Sequence, residues 1–446
     1  MSGHQESFVW GVGTSAYQIE GAWNEGGKGP SIWDTMAHTL PMVDTGDVAC
    51  DHYHRLEEDL DLLGEIGVDA YHFSIAWTRV LPEGTGEVNQ TGLAFYDRLI
   101  DGLLDRDIEP WLTLYHWDLP QTLQDQGGWA NRRSVDWFTE YASVMRDRLG
   151  DRVKNWITIN EPWVIATLGH LEGLFAPGLN DWPTTLAAAH HLLMAHGSAT
   201  AAIREKVSDA NVGLSLDCRP AEPASESASD IAATRHFDGF RNRWYFDPVF
   251  GKGYPQDMVE AYQALGRLDP GLIRPGDEEL IATPIDFCGL NYYTSVRIAA
   301  GEEEQDNPEG PVGINPPSGF TEMGWLVDPD AMERFLLRVH QEWSPKSIVV
   351  TENGASYSDG PVPDGGVHDR RRIKYLDAHI DAVRSARDRG VPVDGYFVWS
   401  FLDNLEWRAG YSQRFGLVWV DHPTQQRILK DSAYWYKDLI ERYSSG

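Results

Sequence analysis

Short runs of apolar, β-branched and aromatic residues recur from one end of this chain to the other. Between them lie stretches whose apolar residues repeat every three or four positions. The first kind reads as buried strand and the second as amphipathic helix. The strand pattern falls at 8–14, 70–75, 110–115, 156–160, 212–216, 287–291, 348–351 and 396–400. The helical pattern falls at 55–66, 93–104, 135–149, 186–207, 331–343, 371–387 and 432–443. In the first helix Leu56, Leu60, Leu63 and Ile66 share one face, and in the second Leu93, Tyr96, Leu99, Ile100 and Leu103 do. Three segments rich in Gly, Pro, Ser and acids, 220–230, 301–320 and 357–369, read as surface loops.

Eight alternating β and α units predict an α/β chain folded as a single-domain (β/α)8 TIM barrel, spanning residues 1–446 with loop insertions at the carboxyl-end face. The competing open sheet would place a glycine-rich dinucleotide turn after its first strand. Gly11-Val12-Gly13 is followed by Thr14-Ser15-Ala16, so that pattern is not completed, and no phosphate-binding loop occurs elsewhere.

The barrel expectation gives the strand ends a meaning, because barrel chemistry sits where the strands finish. Polar and aromatic residues cluster there: Ser15 to Gln18, Trp77 to Arg79, Tyr115 to Asp118, Asn160-Glu161, Asn291 to Tyr293, Glu352-Asn353, and Trp399-Ser400 leading to Asp403 through Trp407. The fifth strand offers little beyond Asp217. Glu161 and Glu352 stand out, each closing an apolar run just before Pro162 or Asn353-Gly354. A charge at a buried strand end is costly unless something uses it. Two carboxylates in one aromatic-lined cleft are the equipment for cleaving a glycosidic bond.

Composition narrows the partners. The 446 residues include 37 basic and 68 acidic side chains, a formal charge of −31, which argues against nucleic acid and anionic membrane surfaces. No stretch has the length of a membrane span, and the N-terminus lacks a signal-peptide pattern. Three scattered cysteines, Cys50, Cys218 and Cys288, have no metal-like spacing and suit a reducing cytoplasm. His52, His54, His190 and His191 are read as structural, Trp10 and Trp129 as core, and Arg370 to Arg372 as a solvated helix start. With 18 Trp and 18 Tyr the chain has ample flat surface for stacking sugars.

These segments carry a resemblance. FVWGVGTSAYQIEG at 8–21, YHWDLPQ at 115–121, TINEP at 158–162, VTENG at 350–354, DGYFVWSFLDNLEW at 394–407 and FGLVWVD at 415–421 are together similar to glycoside hydrolase family one, the β-glucosidases and their relatives. The resemblance implies the barrel, retention of anomeric configuration, and no cofactor or metal. Glu161 matches the acid/base, Glu352 the nucleophile, and Tyr293 the tyrosine that orients it, with Arg79 expected to keep Glu352 charged. Gln18, His116, Asn160, Glu406 and Trp407 match the sugar hydroxyl set, and Trp399 the stacking platform. Trp117 and Phe415 belong to the same binding region. Trp325, with Trp163 and His170, faces the leaving group. Glu406 disfavours 6-phosphorylated sugars, and Glu161 in place of glutamine disfavours the thioglucosidase branch.

The motifs depart from the family at Ala76 and Thr78, beside Arg79, and at His170, where relatives often carry tyrosine. The resulting expectation is a cytoplasmic retaining β-glucosidase acting on β-glucosides and cello-oligosaccharides, with glucose as product. A broad β-galactosidase/β-fucosidase, a transglycosylase and a silent sugar-binding protein are the alternatives.

Overall fold

The computed structural model describes residues 8–40, 44–301 and 319–444. Eight parallel strands close into a barrel: β1 (Val9–Gly13), β2 (Ala70–Ser74), β3 (Glu109–Tyr115), β4 (Asn155–Asn160), β5 (Asn211–Cys218), β6 (Phe287–Tyr292), β7 (Ile348–Asn353) and β8 (Val393–Trp399). Each pairs with its sequence neighbours, and β8 closes onto β1. All eight predicted strands are present. The last begins three residues earlier than its apolar pattern because Val393 already pairs with Ile348. β5 and β7 run past their apolar cores, so Asp217 and Glu352 lie on the strands themselves.

The barrel interior changes character along its length. Its floor is an apolar plug of Ala70, Trp111, Ile157, Phe287, Val349 and Phe397. A Cβ at Gly11 would overlap the Phe397 ring, so glycine there lets the plug fill. One layer up, the lining turns polar. His72 hydrogen-bonds Thr113 Oγ1 at 2.6 Å, its ring edge-on to Phe397, and Thr351 donates to Asn291 Oδ1 at 2.6 Å. Every group in this layer is fully buried, so the pairing is obligatory.

The predicted helices form the outer ring, among them Leu56–Ile66, Gln90–Leu104, Ser134–Leu149, Trp182–Arg204, Pro329–Trp343, Arg370–Asp388 and Asp431–Ser444. Leu56, Leu60, Leu63 and Ile66 are buried together, as their spacing requires, each contributing about 1.5–3 kcal/mol on burial. The segment between β5 and β6 holds helices the periodicity did not single out, including Ala228–Asp238 and a π-helical turn at Gly239–Arg243. The predicted loop at 220–230 is likewise partly structured, because Ala221–Pro223 pairs with Val296–Ile298. The predicted loop at 301–320 falls almost wholly outside the described residues, as does the start of the N-terminus.

The structural histidines are as expected. His52 pairs with Asp59 at 2.8 Å, His190 with Asp277 at 3.0 Å, and His191 with the Trp129 carbonyl. Trp10 and Trp129 are core. The solvated reading of 370–372 fails at Arg372, which is buried against Asp369 and the carbonyls of Ala355, Tyr357, Arg414 and Phe415. Its guanidinium has the donors to hold several loop carbonyls at once, a fit that charge alone in the sequence does not reveal. No helix among the described residues is long and apolar enough to cross a membrane.

The loop after β8 hangs on a buried charge cluster. Lys430 donates to Asp403 at 2.7 Å, Arg414 reaches the other Asp403 oxygen at 2.8 Å, and the Gly416 amide donates at 2.9 Å. Replacing Lys430 by Met leaves Asp403 with one cation fewer in a dry site. The expected cost is about 3 kcal/mol of unfolding free energy, read from urea denaturation against wild type; a loss below about 1 kcal/mol would show that the cluster does not anchor the loop.

Candidate active site

The strand ends open into a cleft of ≈ 330 Å³ at the carboxyl end of the barrel. Its lining includes Glu161, Glu352, Tyr293, His116, Trp117, Trp325, Trp399, Glu406 and Trp407, all singled out in the sequence. Gln18, Asn160, Phe415 and Arg79 do not line it.

Glu161 follows β4 in a left-handed backbone conformation, φ 52°, with its amide held by the Ser215 carbonyl at 2.9 Å. Pro162 then starts a short helix, where its fixed φ is at home. Trp117 and Trp407 hold left-handed backbones as well. Such geometry costs about 1–3 kcal/mol per residue, and its collection around one cleft is characteristic of functional sites.

Glu352 reaches the cleft from β7. Tyr293, just past β6, donates its hydroxyl to Glu352 Oε2 at 2.5 Å, while Oε1 is buried without a partner. Asn291 stands opposite Glu352 in the β6–β7 register and donates to Glu161 Oε1 at 2.7 Å and to Asn160 Oδ1 at 3.0 Å. One amide therefore tethers the acid/base candidate beside the nucleophile candidate. Sequence reading placed Asn291 at a strand end and went no further; that position was the available signal.

Burial pushes the proton affinity of both glutamates up, and each is raised further by neighbouring carboxylates. Glu161 faces Asp217 and Glu352. Tyr293 opposes the rise at Glu352 by hydrogen-bonding its anion. Glu352 thus ionises first and Glu161 keeps its proton longer, the order that a nucleophile and a general acid need. Burial also lifts Glu406 to about 8.

His116 is fully buried and held neutral by desolvation. Its ring lies nearly parallel to Trp399, centroids 5.6 Å apart, and to Trp407 at 6.0 Å. Asn160 Nδ2 lies 3.3 Å from His116 Nε2, and with the amide donating there the ring proton belongs on Nδ1, which has no protein partner. Asn160 itself spans this histidine and Asn291. Gln18 spends its amide on Asn404 and Leu405, bracing the loop that carries Glu406. Phe415 packs edge-on against Tyr293 and supports it from behind.

Arg79 corrects an expectation. Its Nε donates to Glu20 Oε2 at 2.9 Å, its Nη2 to the Gly21 carbonyl at 3.2 Å, and its guanidinium covers the Tyr53 ring at 4.4 Å. It holds the segment after β1 in place, and among the described residues no arginine pairs with Glu352. Both arginines on the cleft wall, Arg219 and Arg241, were passed over in the sequence. Arg241 lies in a helical segment with no motif, so nothing local marks it. Trp163 lines the cleft as expected, whereas His170 is buried behind it on the Ile165 carbonyl.

Comparison with known proteins agrees with this geometry. The profile of glycosyl hydrolase family 1 matches residues 2–444. The chain belongs to glycosyl hydrolase family 1. It is 47% identical to beta-glucosidase A of Thermotoga maritima over 98% of this chain and 97% of that protein. It is 48% identical to a 1,4-beta-D-glucan glucohydrolase of Thermotoga neapolitana, covering 98% of each. A solved family 1 β-glucosidase structure from Thermotoga maritima superposes with a TM-score of 0.94 at 46% identity, over 98% of both chains.

Tyr293→Phe tests the ionisation order. Without the hydroxyl, the Glu352 anion loses its donor and its pKa rises further. The nucleophile must be ionised, so the acid limb of the kcat/KM profile moves to higher pH, by about one to two units for a hydrogen bond to a charged group. An unmoved limb would remove Tyr293 from this role.

Proposed function

We propose that this protein is a retaining β-glucosidase that releases terminal β-D-glucose from oligosaccharides and small β-glucosides. The observation that carries the reading is the hydrogen-bonded constellation Tyr293–Glu352 and Asn291–Glu161 in one aromatic-walled cleft at the barrel rim. The β-glucosidase names of full-length relatives support the same substrate class.

The sugar stacks on Trp399, with Glu406 accepting and the His116 Nδ1–H donating to its hydroxyls. Ionised Glu352 attacks the anomeric carbon. The bond to the leaving oxygen breaks as Glu161 delivers its proton there, and a glycosyl ester forms on Glu352. Glu161, now a carboxylate, takes a proton from water, whose oxygen attacks the anomeric carbon from the face the leaving group vacated and displaces Glu352 from the opposite face. Two inversions give net retention. Desolvation in the cleft favours proton donation by Glu161 in the first half. Loss of the Glu352 charge on ester formation removes one repulsive neighbour, which lowers the proton affinity of Glu161 and lets it act as the base in the second half. The three cysteines are buried and unpaired, in keeping with a reducing, cytoplasmic setting.

Glu352→Gln is expected to lower kcat by about a thousandfold or more, with an unchanged circular dichroism spectrum. A loss under about tenfold would remove Glu352 as nucleophile. Glu161→Ala should spare aryl glucosides with good leaving groups and cripple cellobiose, and added azide should restore turnover to a β-glucosyl azide. An α-azide product would contradict retention. On the wild-type protein, an aryl β-glucoside should outrun its 6-phosphate, because Glu406 offers the added phosphate a buried carboxyl group and no cation to pair with; the reverse order would displace Glu406 from the sugar site.

A further inference from the structure

Thr351, the residue before Glu352, takes no part in the mechanism above. It is fully buried on β7, and its hydroxyl donates to Asn291 Oδ1 at 2.6 Å. Two contacts aim it. A Cβ at Gly289 on β6 would come within 3.0 Å of the Thr351 methyl, so the methyl is seated against that glycine. From below, the His72 ring, kept neutral by burial, lies 3.3 Å from the Thr351 carbonyl through Nδ1 and 2.6 Å from Thr113 Oγ1 through Nε2. A neutral ring donates from Nδ1 to the carbonyl and accepts the Thr113 hydroxyl on Nε2, which fixes the strand under Thr351.

A side-chain amide has two unlike ends, and at Asn291 they face different groups. Oδ1 takes the Thr351 hydroxyl, so Nδ2 is turned to Glu161 Oε1 at 2.7 Å and Asn160 Oδ1 at 3.0 Å. Asn160 is oriented in turn, and its Nδ2 meets His116 Nε2 at 3.3 Å. From Thr351 through Asn291 and Asn160 to His116, each member donates to the next. The reversed chain would have His116 donate from Nε2 and would turn the Asn291 oxygen toward Glu161. It would also require Thr351 to accept, and its hydroxyl makes no other hydrogen bond among the described residues. Glu161 registers the difference. With Nδ2 on Oε1, the acid proton is carried on Oε2. With Oδ1 there, the proton would be drawn onto Oε1 and the carboxylate would lose a donor. The same amide favours the Glu352 anion. Of the other groups facing Glu161, Asp217 on β5 and Glu352 on β7 raise its proton affinity and Arg241 lowers it, while Tyr293 is committed to Glu352.

We infer that Thr351 is a positioning residue whose hydroxyl fixes the direction of the Asn291 and Asn160 amides, holding the Glu161 proton on Oε2 and the His116 proton on Nδ1. Its effect on catalysis rests on the β-glucosidase reading; the direction of the chain does not. A strand residue next to the nucleophile thereby acts on the acid/base and on the histidine of the sugar site at once.

The test compares wild type with Thr351→Val, which keeps the shape and removes the donor, and with Thr351→Ser, which keeps the donor. NMR of protein carrying nitrogen-labelled histidine reads the two ring nitrogens of His116, the signal being assigned by its loss in His116→Ala. Wild type and Thr351→Ser should show the Nδ1–H tautomer, and Thr351→Val should gain Nε2–H. An Nε2–H ring in wild type, or an unchanged ring in Thr351→Val, would overturn the inference, and the wild-type half needs no variant to fold. On an aryl β-glucoside, the basic limb of the kcat/KM profile reports Glu161 as acid. Thr351→Val removes a directed hydrogen bond to the Glu161 anion and so raises its proton affinity. The basic limb should move up by about one pH unit and return in Thr351→Ser. A residue that merely supports the fold would lower stability and leave limb and tautomer where they are, and an unmoved limb would overturn the positioning role. A wild-type protein that turns over no β-glucoside would overturn the parent reading and the catalytic role with it, while the tautomer, which needs no turnover, still decides the direction of the chain.

Discussion

Four carboxylates, Glu161, Asp217, Glu352 and Glu406, line one cleft whose walls are largely aromatic. Desolvation alone would protonate Glu161, Glu352 and Glu406, and mutual repulsion works in the same direction wherever they come close. Useful chemistry requires that one glutamate resist this. The difference is made by a neutral donor, Tyr293 on Glu352, while Asn291 tethers Glu161 and only partly offsets its rise. Neutral hydrogen bonds tune the pair while leaving no permanent counter-ion to trap the nucleophile. The cationic charge at the cleft wall is held partly in check, because Arg241 is already committed to Asp217.

The scaffold is arranged so that those donors cannot move. Below them the polar layer of His72, Thr113, Thr351, Asn160 and Asn291 is fully buried and internally bonded, and below that the apolar plug closes the barrel. A donor displaced from this layer would leave an unsatisfied group in a dry environment, at about 1–3 kcal/mol each. The loops above are fixed by charges spent out of solvent. Arg79 with Glu20 secures the turn after β1, Arg372 gathers four loop carbonyls, and Asp403 with Lys430 holds the segment that presents Glu406 and Trp407. Several residues that look functional by charge are thus structural, and the positioning they provide is what makes the strained turns at Trp117, Glu161 and Trp407 tolerable.

The same division explains the Asp217–Arg241 pair on the cleft wall. His116, Trp399, Glu406 and Trp407 reach the cleft from contiguous motifs, so they are visible in one dimension. Arg241 arrives from a π-helical turn between β5 and β6, a segment with no sequence motif to mark it. Its partner Asp217 is the acid at the end of the one barrel strand that seemed chemically empty.

The sequence by itself determined the barrel, the order of its strands, the helical faces and the two glutamates at strand ends, because each depends on local periodicity or on a contiguous motif. It also named Tyr293, His116, Trp399 and Glu406 correctly as residues of one cleft. What only the tertiary structure decided were the pairings. Arg79 went to Glu20, Arg372 into the interior, Asn291 to Glu161, and Arg241 to Asp217, each joining segments far apart in the chain. A charge in a sequence shows that a partner is needed; which partner it finds is settled by the closure of the barrel, which brings distant strand ends within hydrogen-bond reach.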